Sequence, residues 1–237
     1  MISHAKKHEC QRCGTCCQKG GPALHKADKP LVDQGLLPAS RLYTLRRGEL
    51  AREPITDDLI ELPTELIKLK GRNKTWACTF LESDGAQCHI YEHRPLECRS
   101  LQCWDTAEFE QIYNADRLTR RDLLENVSGL WDLVCDHEAR CAYALIRKLV
   151  NQLANNDREA ALQMIIELVR YDMEIRTLVV EKGQLDPAMT DFLFGRPLMQ
   201  TMTMFGLTIQ KHGDGYKVIK SGTDFSADAY NQSKGSQ

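Results

Sequence analysis

The cysteines of this chain are concentrated near its beginning, and this feature limits most what the chain can fold into. Eight of the ten lie in the first 103 residues, and the last 96 residues contain none. They form two motifs, Cys10-x-x-Cys13-Gly14-x-Cys16-Cys17 and Cys78-x9-Cys88-x9-Cys98-x4-Cys103. Two-residue gaps let successive thiolates converge on one metal, so the sequence predicts a cysteine-ligated centre, either iron–sulfur or zinc.

The surroundings of these thiols also favour metal ligation. The first ten residues, MISHAKKHEC, have no apolar segment like that of a secretory signal peptide, so we expect a cytoplasmic protein. Reducing compartments disfavour disulfides, and clustering at ligand spacing argues against scattered core cysteines. No apolar run is long enough to span a bilayer, and a net charge of −2 argues against a general nucleic-acid surface. The partner that we expect is another protein.

The spacing of the first motif does not provide a complete ligand set. Cys10, Cys13 and Cys16 are spaced like the first three ligands of a bacterial ferredoxin, but the usual fourth cysteine and its proline are missing. A fourth ligand must come from the second motif, so we expect the two motifs to lie side by side. Eight cysteines suffice for one four-iron cluster with thiols to spare, or for two four-thiolate sites. Cys17 is the cysteine best placed to join a second site.

Cys135, His137 and Cys141 form a second group of candidate ligands. The segment is predicted to be helical, and on a helix His137 and Cys141 share a face because they are four residues apart. Cys135 points elsewhere on the same helix. Three interpretations stay open: extra ligands for the N-terminal centre, a separate catalytic zinc site, or two core-facing cysteines beside a solvated histidine.

The N-terminal residues resemble a known family. The first motif, then Cys78-Thr79-Phe80-Leu81, then Cys88-His89-Ile90-Tyr91-Glu92-His93-Arg94-Pro95-x-x-Cys98-Arg99 and Cys103 are similar to the zinc- or iron-chelating cysteine-cluster family, also called the YkgJ-type or CxxCxxCC family. The resemblance covers residues 8–104 and implies metal binding. Flagellin lysine N-methylases have a similar cysteine arrangement and are associated with an iron–sulfur cluster. The resemblance therefore favours an iron–sulfur cluster of the 4Fe-4S type, with zinc as the alternative.

The fold class predicted from the sequence is mainly α. An irregular, cysteine-rich N-terminal half is expected to pack on a helical C-terminal half that ends in a β-hairpin. The predicted parts are a metal-binding domain over 1–104, a helical region with the hairpin over 105–223, and a disordered tail over 224–237. Helices are predicted over 106–115, from 126 or 128 to 153, and over 157–182, and the hairpin turns at Gly213-Asp214-Gly215.

Three functions are compatible with these residues. The first is a metal- or cluster-binding protein with an electron-transfer, metal-handling or maturation accessory role. The second is a cluster-containing protein-modifying enzyme, such as a lysine N-methylase-like transferase, which the resemblance and the long helical part suggest. The third is a zinc-stabilised interaction module. The sequence contains no P-loop, dinucleotide-binding or nucleophile-elbow motif, so a deep polar pocket beside the centre would be needed to favour the enzyme.

Overall fold

A computed structural model of the chain describes residue 10 and residues 12–72, 75–82, 87–153, 158–212 and 215–220. Helix accounts for 49% of the structure and strand for 16%. The α-helices of these residues are α1 (Thr15–Gln18), α2 (Lys29–Asp33), α3 (Leu96–Ser100), α4 (Ala107–Ile112), α5 (Arg120–Leu124), α6 (Leu130–Arg140), α7 (Tyr143–Gln152), α8 (Arg158–Glu181), α9 (Thr190–Phe194) and α10 (Leu198–Thr201). Short 3-10 turns cover Lys26–Asp28, Ala39–Arg41, Tyr91–His93, Pro187–Met189 and Met202–Phe205.

The strands pair into separate two-stranded antiparallel sheets. The strands of the described residues are β1 (Leu42–Leu45), β2 (Leu50–Arg52), β3 (Leu59–Glu61), β4 (Leu66–Leu69), β5 (Leu207–His212) and β6 (Gly215–Lys220). Strand β1 pairs with β4, β2 with β3, and β5 with β6. The β1–β4 register places Leu42 opposite Leu69, and both side chains are buried, so this sheet contributes directly to the core.

The predicted fold class is wrong in the N-terminal half. Strands β1–β4 form two sheets where irregular chain was expected, while helix, at 49%, still exceeds strand, at 16%, in the structure. The terminal hairpin is confirmed, since β5 and β6 pair over their full lengths. The tail over 224–237 lies outside the described residues. None of the described helices combines the length and the hydrophobicity that crossing a bilayer requires.

One hydrophobic core joins the N-terminal sheets to the helices that follow. Leu42, Ile67 and Leu69 from the β1–β4 sheet pack in the same buried cluster as Val134 of α6 and Phe192 of α9. A second cluster lies farther along the chain, where α7, α8 and α10 pack against the terminal hairpin. Residues before and after position 104 therefore share apolar contacts, and the domain division at that position stays a prediction.

The helix predicted to reach residue 153 is interrupted at Cys141. Helix α6 ends at Arg140, and α7 begins at Tyr143 after an extended residue, Ala142. The buried guanidinium of Arg46 donates a hydrogen bond to the Cys141 carbonyl, which accounts for the break because that carbonyl would otherwise accept a bond within a continuous helix. The next helix, α8, agrees with the predicted range of 157–182 to within one residue at each end.

Candidate metal centre

The first cysteine motif turns through Gly14 into the short helix α1. Gly14 has a φ of 71°, in the left-handed region that glycine adopts without strain, and the Gln18 amide donates to its carbonyl at 3.0 Å. This turn places Cys16 and Cys17 together, with 3.9 Å between their sulfurs. The side chains of Cys10, Cys13 and Cys16 are exposed, and Cys17 is half-buried. The Cys13 sulfur lies 3.3 Å from the Thr15 hydroxyl.

Cys78 and Cys88 occupy equivalent places in two successive turns whose hydrogen bonds repeat with an offset of ten residues. In both turns the amide three residues after the cysteine donates to the cysteine carbonyl, and the amide directly after it donates to the carbonyl eight residues before it. These bonds are Leu81 N to Cys78 O (3.0 Å), Tyr91 N to Cys88 O (3.2 Å), Thr79 N to Lys70 O (2.9 Å) and His89 N to Phe80 O (2.9 Å). The repeated turns give both thiols the same backbone setting.

The two motifs meet, as their sequences predict. The Cys78 amide donates to the Cys17 carbonyl at 2.7 Å, which fixes the end of the first motif against the second. The thiols of Cys16, Cys17, Cys78, Cys88 and Cys98 lie close enough to interact electrostatically with one another. Cys103 is exposed, and no contact of its thiol with these five is seen.

The gathered thiols favour a cation among them. Burial raises the pKa of Cys98 well above its usual value and also raises that of Cys78. The Cys16–Cys17 hydrogen bond lowers the pKa of Cys16 to about 6 and raises that of Cys17, because the two sulfurs share one proton. Several neighbouring thiols ionise together only beside a positive charge, and a metal ion that prefers thiolate ligands supplies that charge.

The donor chemistry therefore fits zinc or iron, and the positions of the donors leave the coordination shell open. Within the ranges that the structure describes, no group of three or more His, Cys, Asp or Glu side chains is arranged to hold a metal ion. The thiols of Cys10 and Cys13, which are exposed, would have to turn toward the second motif to complete a shell. Ligation by all eight cysteines stays a prediction.

Helix α3, which carries Cys98, is anchored by a polar cluster that the sequence does not reveal. The buried carboxylate of Glu97 accepts hydrogen bonds from the Ala23 amide at 2.7 Å and from Arg117 at 2.5 Å. Asp28 accepts from the Leu96 amide at 2.8 Å, at the start of the same helix. Although burial alone would raise it, hydrogen bonding to His25 and the charges of Lys68 and Arg117 lower the pKa of Glu97. These contacts join residues 20 to 74 positions apart, so no local sequence signal marks them.

The second group of candidate ligands has protein partners of its own. His137 is fully buried, with Nε2 2.8 Å from the Asp172 carboxylate and Nδ1 3.2 Å from the Arg46 guanidinium. Both ring nitrogens thus have protein partners. Cys141 is buried with its sulfur 4.0 Å from the Leu168 carbonyl, and Cys135 is exposed on α6. The arrangement describes a histidine held inside an ionic network, with one buried cysteine and one exposed cysteine beside it.

One cavity found among the described residues does not border the gathered thiols. It has a volume of about 390 Å³ and lies along α6, where Trp131 and Cys135 form one wall and Glu65 and Arg120 another. None of the eight N-terminal cysteines lines it. The Trp76 side chain, two residues before Cys78, is 71% exposed.

Comparison with protein-family models matches residues 9–117 to the CxxCxxCC family, described as a putative zinc- or iron-chelating domain. This match confirms the family resemblance and extends it past α4. The residues matched include all eight N-terminal cysteines and the anchoring residues Glu97 and Arg117. Comparisons with curated proteins and with solved structures give no significant match.

Proposed function

Since residues 9–117 belong to the CxxCxxCC family of zinc- or iron-chelating domains, we propose that they hold one 4Fe-4S cluster and that the chain transfers electrons to or from a partner protein. The observation that carries the proposal is the meeting of the two motifs, in which the Cys78 amide donates to the Cys17 carbonyl at 2.7 Å and the Cys16 sulfur lies 3.9 Å from that of Cys17. When bound, such a cluster supplies one-electron redox chemistry.

The number and position of the thiols support a cluster. Four thiolates complete a cubane, and the two motifs together contain eight cysteines. The Cys17 carbonyl and the Cys78 amide hold the two motifs at a fixed distance, so only the exposed thiols of Cys10 and Cys13 have to turn inward. Neutral thiols buried together would release their protons as the metal binds.

The exposure of the site supports a protein partner over a small substrate. Cys16 and Cys103 are exposed and Cys88 and Cys98 are half-buried, so one side of the thiol group faces solvent. The cavity along α6 is lined by none of these residues. A redox centre that exchanges electrons with another protein needs proximity to the surface, and the exposed thiols provide it.

The test is anaerobic purification followed by iron, zinc and acid-labile sulfide analysis with a visible spectrum. We expect about four irons and four sulfides per chain and a spectrum that bleaches reversibly with dithionite. The Cys98→Ser variant should lose the cluster, whereas Cys135→Ser, which changes an exposed cysteine on α6, should retain it. Stoichiometric zinc without sulfide would overturn the cluster and leave the chelating domain. Release of the cluster to an acceptor without reversible reduction would indicate metal handling instead of electron transfer.

A further inference from the structure

The ring of Tyr91 lies between two guanidinium groups. The Arg12 Cζ is 3.8 Å from the ring centroid, and the Arg94 Cζ is 3.7 Å from it. Two planar guanidinium groups at these distances would collide on one face of a ring, so they stack on opposite faces. Each contact is well inside the distance at which a cation is attracted to an aromatic face.

The stack joins the two cysteine motifs through side chains. Arg12 lies inside the first motif, between Cys10 and Cys13, and its φ of 52° is unusual for a residue with a side chain. Tyr91 follows Cys88 by three residues, and its amide donates to the Cys88 carbonyl. Arg94 is fixed in turn because its Nε donates to the Tyr91 carbonyl at 2.8 Å. The contact between Arg12 and Tyr91 therefore connects the exposed loop of the first motif to the turn that follows Cys88 in the second motif.

The charges of the stack suit an anionic neighbour. Two guanidinium groups about 7 Å apart on one ring repel each other, and nearby negative charge offsets that repulsion. Arg12 lies between Cys10 and Cys13 and Arg94 lies between Cys88 and Cys98, so the two cations of the stack come from the two cysteine motifs.

We propose that the Arg12–Tyr91–Arg94 stack is a latch that holds the Cys10–Cys17 loop on the second motif and slows the loss of bound metal. This inference rests on the proposed function only because it requires a metal bound by these thiols, and that metal can be zinc or iron. Arg12 and Tyr91 act as positioning residues, because they hold the loop and their side chains supply no thiolate. Arg94 orients the ring from the other face.

The test uses the full chain loaded anaerobically with Co²⁺ alone, whose thiolate charge-transfer absorption reports ligation. Release to excess chelator is timed in the wild type, Arg12→Gln, Tyr91→Leu and the double variant. We expect each single change to speed release about threefold to tenfold, and the double variant to be no faster than the faster single one. Tyr91→Phe keeps the aromatic face and should release at the wild-type rate. Arg121→Gln, which removes an exposed arginine on α5, controls for the change in net charge.

A second measurement follows amide hydrogen exchange of residues 12–18, which should accelerate in Arg12→Gln and Tyr91→Leu and not in Tyr91→Phe. Equal release rates in all variants would overturn the latch. So would an effect of Arg12→Gln that persists unchanged in the Tyr91→Leu background, since it would not depend on the ring. Failure of the 4Fe-4S proposal would appear separately, as absence of iron and sulfide from a protein that still binds Co²⁺ through its thiolates.

Discussion

Replacing Glu97 by glutamine should weaken the support of the metal-binding helix. The Glu97 side chain is 8% exposed and pairs with Arg117, which is 9% exposed. Two nitrogens of Arg117, Nε and Nη2, are buried without a hydrogen-bond partner, so the Glu97 carboxylate is the main compensation for that charge. Removing one partner of a buried ion pair costs about 3–5 kcal/mol. Glutamine keeps the size and an acceptor for the Ala23 amide, so we expect the lower end, about 3 kcal/mol.

The assay is urea unfolding of the metal-free protein, in which ligation cannot mask the loss. Glu92→Gln makes the same charge change at an exposed position on the same segment and should alter stability by less than about 0.5 kcal/mol. Combining Glu97→Gln with Arg117→Met should recover part of the loss, because the unpaired cation is then gone. A loss in Glu97→Gln no larger than in Glu92→Gln would refute the view that this pair stabilises the base of α3.

Two further predictions concern the fold around the centre. Gly21→Ala should lower the free energy of unfolding in urea by about 3 kcal/mol, since its new Cβ would lie 2.3 Å from the Leu69 carbonyl oxygen. Gly35→Ala, where the new Cβ meets no atom and only the positive φ is unfavourable, should lower it by about 1 kcal/mol. Equal losses in the two variants would contradict the packing argument. Asp172→Asn should lose about 3 kcal/mol at pH 7. Burial alone would raise the pKa of Asp172, but hydrogen bonds from His137 and its other neighbours lower it. The ionised Asp172 carboxylate therefore stabilises the fold fully above about pH 4, and this stabilisation is lost as the pH falls further. A difference in unfolding free energy between Asp172→Asn and the wild type that stays constant down to pH 2 would contradict this.

The meeting of the two cysteine motifs was predictable because ligand chemistry demands it. Three cysteines at ferredoxin spacing without a local fourth required a contribution from the second motif, and the Cys17–Cys78 backbone contact realises it. The equivalent turns of Cys78 and Cys88 were not predictable. Their repeat lies in backbone hydrogen bonds, and the side chains around the two cysteines share no pattern that would reveal it.

The sheets and the helix break escaped prediction for a different reason. Strands β1 and β4 have four residues each and pair across a long separation in sequence. Strands β5 and β6 have six residues each and are only two residues apart in sequence, at Gly213-Asp214. The break at Cys141 depends on the guanidinium of Arg46, a residue that directly follows β1 and is distant in sequence. The local hydrophobic pattern predicts helices and strands whose stabilising contacts are local. It does not predict element boundaries that depend on a side chain distant in sequence.

The central claim is that one metal centre draws on both cysteine motifs. The most direct test measures metal per chain, after anaerobic purification, in Cys16→Ser, in Cys98→Ser and in the double variant. A shared centre predicts that each single variant loses nearly all of the metal and that the double variant loses no more. Half the metal lost in each single variant and all of it in the double one would show two separate sites, one in each motif, and would contradict the account.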